Sequence, residues 1–177
     1  ARRTMEAIIL AGGRGERLWP LVRTATPKVC VSFDGKRTLL ASTLERLRPL
    51  ASPRQVLIVM TQSQARPIQR ALPAAYRPTL ISEPQPKNTA ACLALAAAIV
   101  ARRDPSTVIA ALPADHWIHP VAAFQRTLRA AIEVARRGEE MVTIGLRPRS
   151  AHPGLGYLCT TGTVERRAGC RVLRLRR

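Results

Sequence analysis

The alternation of short apolar runs with helix-patterned stretches constrains this chain more than any other feature. Ala7 to Ala11 (AIILA), Gln55 to Met60 (QVLIVM), Thr79 to Ser82 and Thr107 to Leu112 (TVIAAL) read as four strands. Between them, apolar residues recur on a helical period. Leu40, Leu44 and Leu47 stand at i, i+4 and i+7, and Leu93, Ala97 and Val100 share one stripe. Ser63 to Leu72 reads as helical despite Pro67, and Asn88 or Thr89 is placed to cap the helix that runs to about Arg102. Strand–helix–strand repetition is the sequence form of a mostly parallel α/β sheet flanked by helices. Phe124, Leu128, Ile132 and Ala135 mark a further helix face that stops at Gly138, and a fifth strand is expected at Val142 to Leu146. Beyond Pro148, Gly154, Gly156, Gly162 and Gly169 punctuate short segments, with strands expected around Tyr157 to Thr161 and Arg171 to Leu175.

A chain of 177 residues with 46% apolar content can bury one hydrophobic core. With neither repeat nor long linker, one domain over 1–177 is expected. No apolar run approaches the ~20 residues needed to span a bilayer. Ala90 to Ala101 is short and is followed by Arg102 and Arg103, and Ala1 to Glu6 leads into no segment of signal-peptide length. A cytoplasmic location with no membrane partner is the expectation. Cys30, Cys92, Cys159 and Cys170 are spread without a CxxC pair, so reduced thiols are expected rather than a zinc site. The net charge of +18 admits an anionic partner. Yet the arginines are scattered, apart from Arg166–Arg167 and Arg171 to Arg177, and only two Trp, two Tyr and two Phe are present. Specific nucleic-acid binding calls for basic clusters with interleaved aromatics, so none is expected.

In open α/β sheets, ligands bind beyond the carboxyl ends of the strands. Three motifs fall at such ends. The first is Ala11-Gly12-Gly13-Arg14-Gly15-Glu16-Arg17, directly after the first strand. Gly12, Gly13 and Gly15 let backbone N–H groups approach an anion or a base plane, and Arg17 and Lys28 suit phosphate oxygens. The string is neither a Walker A loop nor a dinucleotide fingerprint, since Leu18 stands at the third glycine position counted from Gly13. Its bland alternative is a strand-to-helix turn with solvated arginines. The second motif is Glu83-Pro84 with Asn88-Thr89, where a helix N-terminus offers free N–H donors and Glu83 an acceptor. Simple capping is the alternative there. The third is Leu112-Pro113-Ala114-Asp115-His116, whose Asp115 suits Mg²⁺ held against nucleotide phosphates or, blandly, an N-cap. His116 reads as a supporting residue, because Mg²⁺ prefers oxygen.

Taken together, AGGRGERLWPL, Pro27-Lys28, Leu39-Leu40 with Thr43 to Leu47, EPQPKNTAACLALAA, LPADHWI and VTIGLRPRSAHPGLGYL resemble the mannose-1-phosphate guanylyltransferase family, in order along nearly the whole chain. The resemblance implies a Rossmann-like nucleotide-diphospho-sugar transferase fold, with residues 1–148 as the nucleotide-binding part and 149–177 as the start of the sugar-binding part. It implies transfer of a guanylyl group from GTP to mannose 1-phosphate, with Mg²⁺, giving GDP-mannose and pyrophosphate. On this resemblance Arg17 and Lys28 carry the catalytic charge, and Gly12, Gly13, Gly15, Glu83, Asn88 and Thr89 line the nucleotide. Asp115 holds the metal and Gly156 lies against the sugar.

The chain departs from the family at Leu155, where a Tyr is usual, and at Pro86-Lys87, where Gly-Arg is usual. The family's later Glu-Lys-Pro motif, Asn-Ser-Gly segment and second metal-binding Asp are not among the 177 residues. The expectation is therefore most of a nucleotide half-site and little of a sugar half-site. A non-catalytic nucleotide-binding module, a pyrophosphorylase for another hexose 1-phosphate, and a homo-oligomer all remain open.

Overall fold

The computed structural model describes residues 5–176 except 14, 16–19, 23–25, 75, 86, 139 and 140. Contacts divide the chain into two compact units, Ala1–Ile118 and His119–Arg177.

In the first unit, β1 (Met5–Leu10), β2 (Val56–Thr61), β3 (Thr79–Glu83) and β4 (Val108–Pro113) form one sheet in the order β3-β2-β1-β4. All its pairings are parallel, as expected. Helix α1 (Leu39–Leu47) joins β1 to β2, α2 (Ala65–Ala71) joins β2 to β3, and α3 (Asn88–Arg103) joins β3 to β4. The chain builds outward from β1 and then crosses back to lay β4 on the other side of β1. Right-handed crossovers put α1 and α2 on one face and α3 on the other. Strands covered on both faces need apolar residues at every position. Ala7, Ile8 and Ile9 of β1 and Val56 to Val59 of β2 are accordingly at most 1% exposed.

On one face Ile8, Leu57, Val59 and Ile81 pack with Cys92, Ala96 and Val100 of α3. The buried stripe of α3 thus differs by one position from the expected Leu93–Ala97–Val100. An alanine-rich helix has little contrast between its faces, so packing rather than pattern sets its phase. Strand alternation turns Ile9, Ile58 and Met60 to the opposite face, where Leu40, Leu44 and Leu47 of α1 and Ile68 of α2 are fully buried. Thr38 caps α1 by accepting from Ala41 N. Pro67 is harmless in α2 because it sits in the first turn, where its missing N–H has no intrahelical acceptor.

The second unit holds α4 (Val121–Ala135) and an antiparallel hairpin of β5 (Thr160–Arg167) and β6 (Cys170–Leu175). Ala168 and Gly169 turn the hairpin with φ of 46° and 78°, the doubly left-handed turn that matches strand twist. The Cys170 thiol lies 3.6 Å from Thr127 Oγ1 on α4, and Leu128, Ala130 and Ile132 are buried. The expected fifth strand at Val142 to Leu146 does not form: residues 141–148 carry no strand structure. Met141 and Leu146 are 99% and 90% exposed. Apolar alternation favours a strand only where another strand edge takes up its backbone groups, and none among the described residues does so here. The strand expected from Tyr157 begins only at Thr160. Among the described residues, no helix is long and apolar enough to cross a membrane.

Candidate functional site

β1 and β4 end level with each other. Leu10 pairs with Pro113, and Ala114 N donates to Leu10 O at 3.1 Å. On the other side of β1, Ala11 N donates to Val59 O at 2.8 Å. The direction in which strands are added reverses between β1 and β4, and at such a switch point the loops part to leave a crevice. The first motif leaves β1 here and the third leaves β4.

The two loops meet through an ion pair. Lys28 opens a one-turn 3₁₀ helix, Lys28–Cys30, behind Pro27, and its Nζ lies 2.7 Å from Asp115 Oδ2. Both side chains are partly buried, at 27% and 29% exposure. His116 Nε2 stands 4.0 Å from the other carboxylate oxygen and is more exposed. Gly15 presses the glycine loop against this pair. Its φ is +69°, and a Cβ there would come within 2.9 Å of both Lys28 Cβ and Val22 Cγ1. Only glycine suits both the conformation and the approach.

Gly12 and Gly13 differ from Gly15. A Cβ on Gly12 would meet only ordinary contacts, Glu83 Oε2 at 3.8 Å and Thr61 Cγ2 at 3.9 Å, and one on Gly13 would meet nothing within 4 Å. Among the described residues, packing gives no reason for either to lack a side chain. The Gly13 carbonyl accepts from Gln64 Nε2 at 3.2 Å. Gln64 is held in turn by a capping box, its Oε1 accepting from Thr61 N and Thr61 Oγ1.

Glu83 is the last residue of β3 and is 8% exposed. Its closeness to Gly12 joins the second motif to the first. A shallow groove of about 370 Å³ runs from it along Pro84, Gln85, Lys87, Ala91 and Leu95. Beneath it, burial and then the charge of Glu83 push the Cys92 thiol up to about 11. The expected capping by Asn88 or Thr89 is not what forms. α3 starts at Asn88 behind Lys87, without a side-chain cap, and Asn88 has a φ of 66°. Asparagine tolerates this left-handed conformation, and residues held so tend to cluster at functional sites.

α1 contributes two side chains that the motif reading passed over as functional. Thr43 and Arg46 are 3% and 5% exposed, and both reach the loop that carries Asp115. The signal was present: a threonine and an arginine fall among the buried residues of an otherwise leucine-rich helix. Gln64 was also missed, although Thr61-x-x-Gln64 has capping-box spacing. Of the expected site residues, Gly12, Gly13, Gly15, Lys28, Glu83 and Asp115 come together around the ends of β1, β3 and β4. Asn88 and Thr89 are exposed at the start of α3. Arg17 lies outside the described residues. Gly156 belongs to the second unit, exposed and with nothing within 4 Å of a Cβ placed on it. Among the described residues no group of three or more His, Cys, Asp or Glu gathers as a metal cage.

A doubly wound sheet with a glycine loop, a lysine and a carboxylate at its switch point defines an α/β protein of the nucleotide-handling class. The chain belongs to the nucleotidyl transferase family, whose model matches residues 6–175. It is similar to the mannose-1-phosphate guanylyltransferase RfbM of Salmonella typhimurium, with 36% identity over 159 residues covering 85% of this chain and 32% of that protein. It is likewise similar to the mannose-1-phosphate guanylyltransferase of Sinorhizobium fredii, with 35% identity over 158 residues covering 85% of this chain and 30% of that one. Among solved structures, one named mannose-1-phosphate geranyltransferase, from Thermus thermophilus, matches at a TM-score of 0.64 and 36% identity. It covers 76% of this chain and 39% of that chain. The chain spans about a third of the length of the curated relatives it matches.

Proposed function

We propose that this chain carries the nucleotide site of a guanylyltransferase, which moves the guanylyl group of GTP to mannose 1-phosphate and forms GDP-mannose and pyrophosphate. The observation that carries this reading is the bare Gly12–Gly13 backbone, which packing among the described residues does not require, beside Glu83 and close to the Lys28–Asp115 pair. The names of the similar proteins supply the substrates. In the reaction a phosphate oxygen of mannose 1-phosphate attacks the α-phosphorus of GTP in line. The bond to the oxygen bridging toward the β-phosphorus breaks, and pyrophosphate leaves. No protein nucleophile is required; the residues position the groups and offset charge.

Each residue has a place in this scheme. Gly12, Gly13 and Gly15 bring backbone N–H groups to the nucleotide, and Lys28 and Arg17 set positive charge on its phosphates. Glu83 accepts hydrogen bonds from the base, with Asn88 and Thr89 on the guanosine side, and Gly156 lies against the sugar. Asp115 fits Mg²⁺: a partly exposed hard oxygen donor beside a phosphate-binding lysine suits an ion that takes one or two carboxylates and completes its shell with substrate oxygens and water. Such an ion, when bound, neutralises charge on the triphosphate. A cytoplasmic location goes with these substrates.

Calorimetry with GTP, ATP and dTTP in the presence of Mg²⁺ tests the reading, with GTP expected to bind tightest. Equal binding of all three would overturn the guanylyl assignment. Adding mannose 1-phosphate and assaying pyrophosphate then separates an enzyme from a module that only binds nucleotide. Other hexose 1-phosphates in the same assay test the sugar.

A further inference from the structure

We propose that Thr43 and Arg46 of α1 form a clamp that positions Asp115 by holding the backbone on either side of it. Arg46 Nη2 donates to Thr43 Oγ1 at 2.8 Å and to the carbonyl of His116 at 3.1 Å. The Thr43 hydroxyl shares its one hydrogen between Leu39 O at 2.9 Å, within α1, and the carbonyl of Ala114 at 3.4 Å. The two carbonyls so held, those of Ala114 and His116, flank Asp115 in the chain. β4 ends at Pro113, and residues 115–118 have no regular secondary structure, so the strand ladder does not fix this carboxylate.

The composition of the clamp argues for a purpose beyond packing. Thr43 and Arg46 are 3% and 5% exposed on a helix whose other buried residues are leucines. Taking a guanidinium out of water costs several kcal/mol unless hydrogen bonds compensate. Burial here already pulls the Arg46 guanidinium below its ordinary pKa. Apolar side chains would fill the same space without that cost, but they could not hold two carbonyl oxygens. Arg46 is a positioning residue: it acts on the site through the loop, by the bond its guanidinium donates to the His116 carbonyl. Because α1 is itself packed into the core by the fully buried Leu40, Leu44 and Leu47, the clamp ties the Asp115 loop to that core. The inference rests on the reading above only for what Asp115 does, not for how it is held.

The experiment uses the whole chain with Thr43→Val, Arg46→Lys and Arg46→Met, followed by hydrogen exchange and by GTP calorimetry with and without Mg²⁺. Exchange of the Ala114 amide, which donates to Leu10 O, is expected to rise by about tenfold in Thr43→Val and Arg46→Met, with peptides from β1 and β2 as protected as in the parent. Arg46→Lys, which keeps a donor but not the fork, is expected to fall in between. The Mg²⁺-dependent part of GTP affinity is expected to weaken while metal-free GTP binding stays at the parent value. A loop that exchanges as in the parent overturns the clamp. So does faster exchange spread evenly through β1, β2 and α1, which would mark a merely structural role. Thr43→Val, close in shape to threonine, decides the matter if Arg46→Met does not fold. Asp115→Asn is the control for the reading of the site. If it binds MgGTP like the parent, the role given to Asp115 fails, while the exchange data still decide the clamp.

Discussion

Alanine placed at Gly15 and at Gly12 should have opposite consequences, although the two glycines lie in one loop. At Gly15 the added methyl group meets a left-handed backbone of φ +69° and contacts of 2.9 Å with Lys28 Cβ and Val22 Cγ1. The conformation alone costs an L-residue roughly 1–2 kcal/mol. The contacts are with a Cβ atom and a stiff β-branched side chain, so neither is the free end of a flexible group. Overpacking of this kind typically costs about 1–3 kcal/mol. With relief by small shifts of the loop, Gly15→Ala should lose about 2–4 kcal/mol. At Gly12 no left-handed backbone is involved, and the nearest atoms are 3.8 Å and 3.9 Å away. There alanine restricts the unfolded chain and should stabilise by up to about 1 kcal/mol. Urea unfolding followed by circular dichroism reads both as shifts in midpoint at constant slope. GTP calorimetry supplies the second axis: Gly12→Ala should fold well and bind poorly if, as proposed, the nucleotide approaches the bare backbone there. A Gly15→Ala protein as stable as the parent would refute the strain argument. A Gly12→Ala protein that binds GTP normally would refute the assignment of the bare backbone to the ligand.

Lys28→Met should weaken GTP binding by about tenfold or more, the scale of one charge-assisted hydrogen bond, as measured by calorimetry. Asp115→Asn should leave GTP affinity insensitive to added Mg²⁺ in the same instrument. Cys92 should resist iodoacetamide near neutral pH while the exposed Cys159 reacts, because its thiol is pushed up to about 11 by burial and by Glu83. Glu83→Gln removes the second of these causes and should lower that pKa. The unfolded Cys92 thiol ionises first, so this residue's contribution to stability is complete below about pH 9 and declines as the pH rises toward 11. Tyr76→Phe deletes the bond from Tyr76 Oη to Leu44 O and should cost about 1 kcal/mol in urea unfolding, with GTP binding unchanged.

What could be read from the chain alone follows the range of the forces involved. β1 to β4 and their connecting helices were legible because burial on both faces writes a local signature, as in AIILA and QVLIVM. The grouping of Gly12, Lys28, Glu83 and Asp115 was legible one step further on, since parallel strands deliver their carboxyl ends to one edge. Val142 to Leu146 was misread because pairing is settled by a partner edge and not by the strand's own residues. The phase of α3 was misread because alanine barely distinguishes one face from another. Thr43, Arg46 and Gln64 were passed over for a related reason. Each acts on backbone far away in sequence, at Ala114, His116 and Gly13, and a backbone carbonyl has no identity in a sequence to be matched. Asn88 reads as a cap by residue type alone, whereas it is the first residue of α3, with a φ of 66° and no side-chain cap before it.

The Lys28–Asp115 pair gives the crevice a particular thermodynamics. With the two charges satisfying each other, the pair itself is close to electrically neutral, and a ligand must compete with a partner already in place. An anion that captures Lys28 strands the carboxylate, and a cation that captures Asp115 strands the ammonium. Either ligand alone therefore binds against a penalty, and the second to arrive finds it already met. Anion and cation should promote each other's binding by the same factor, whichever is added first.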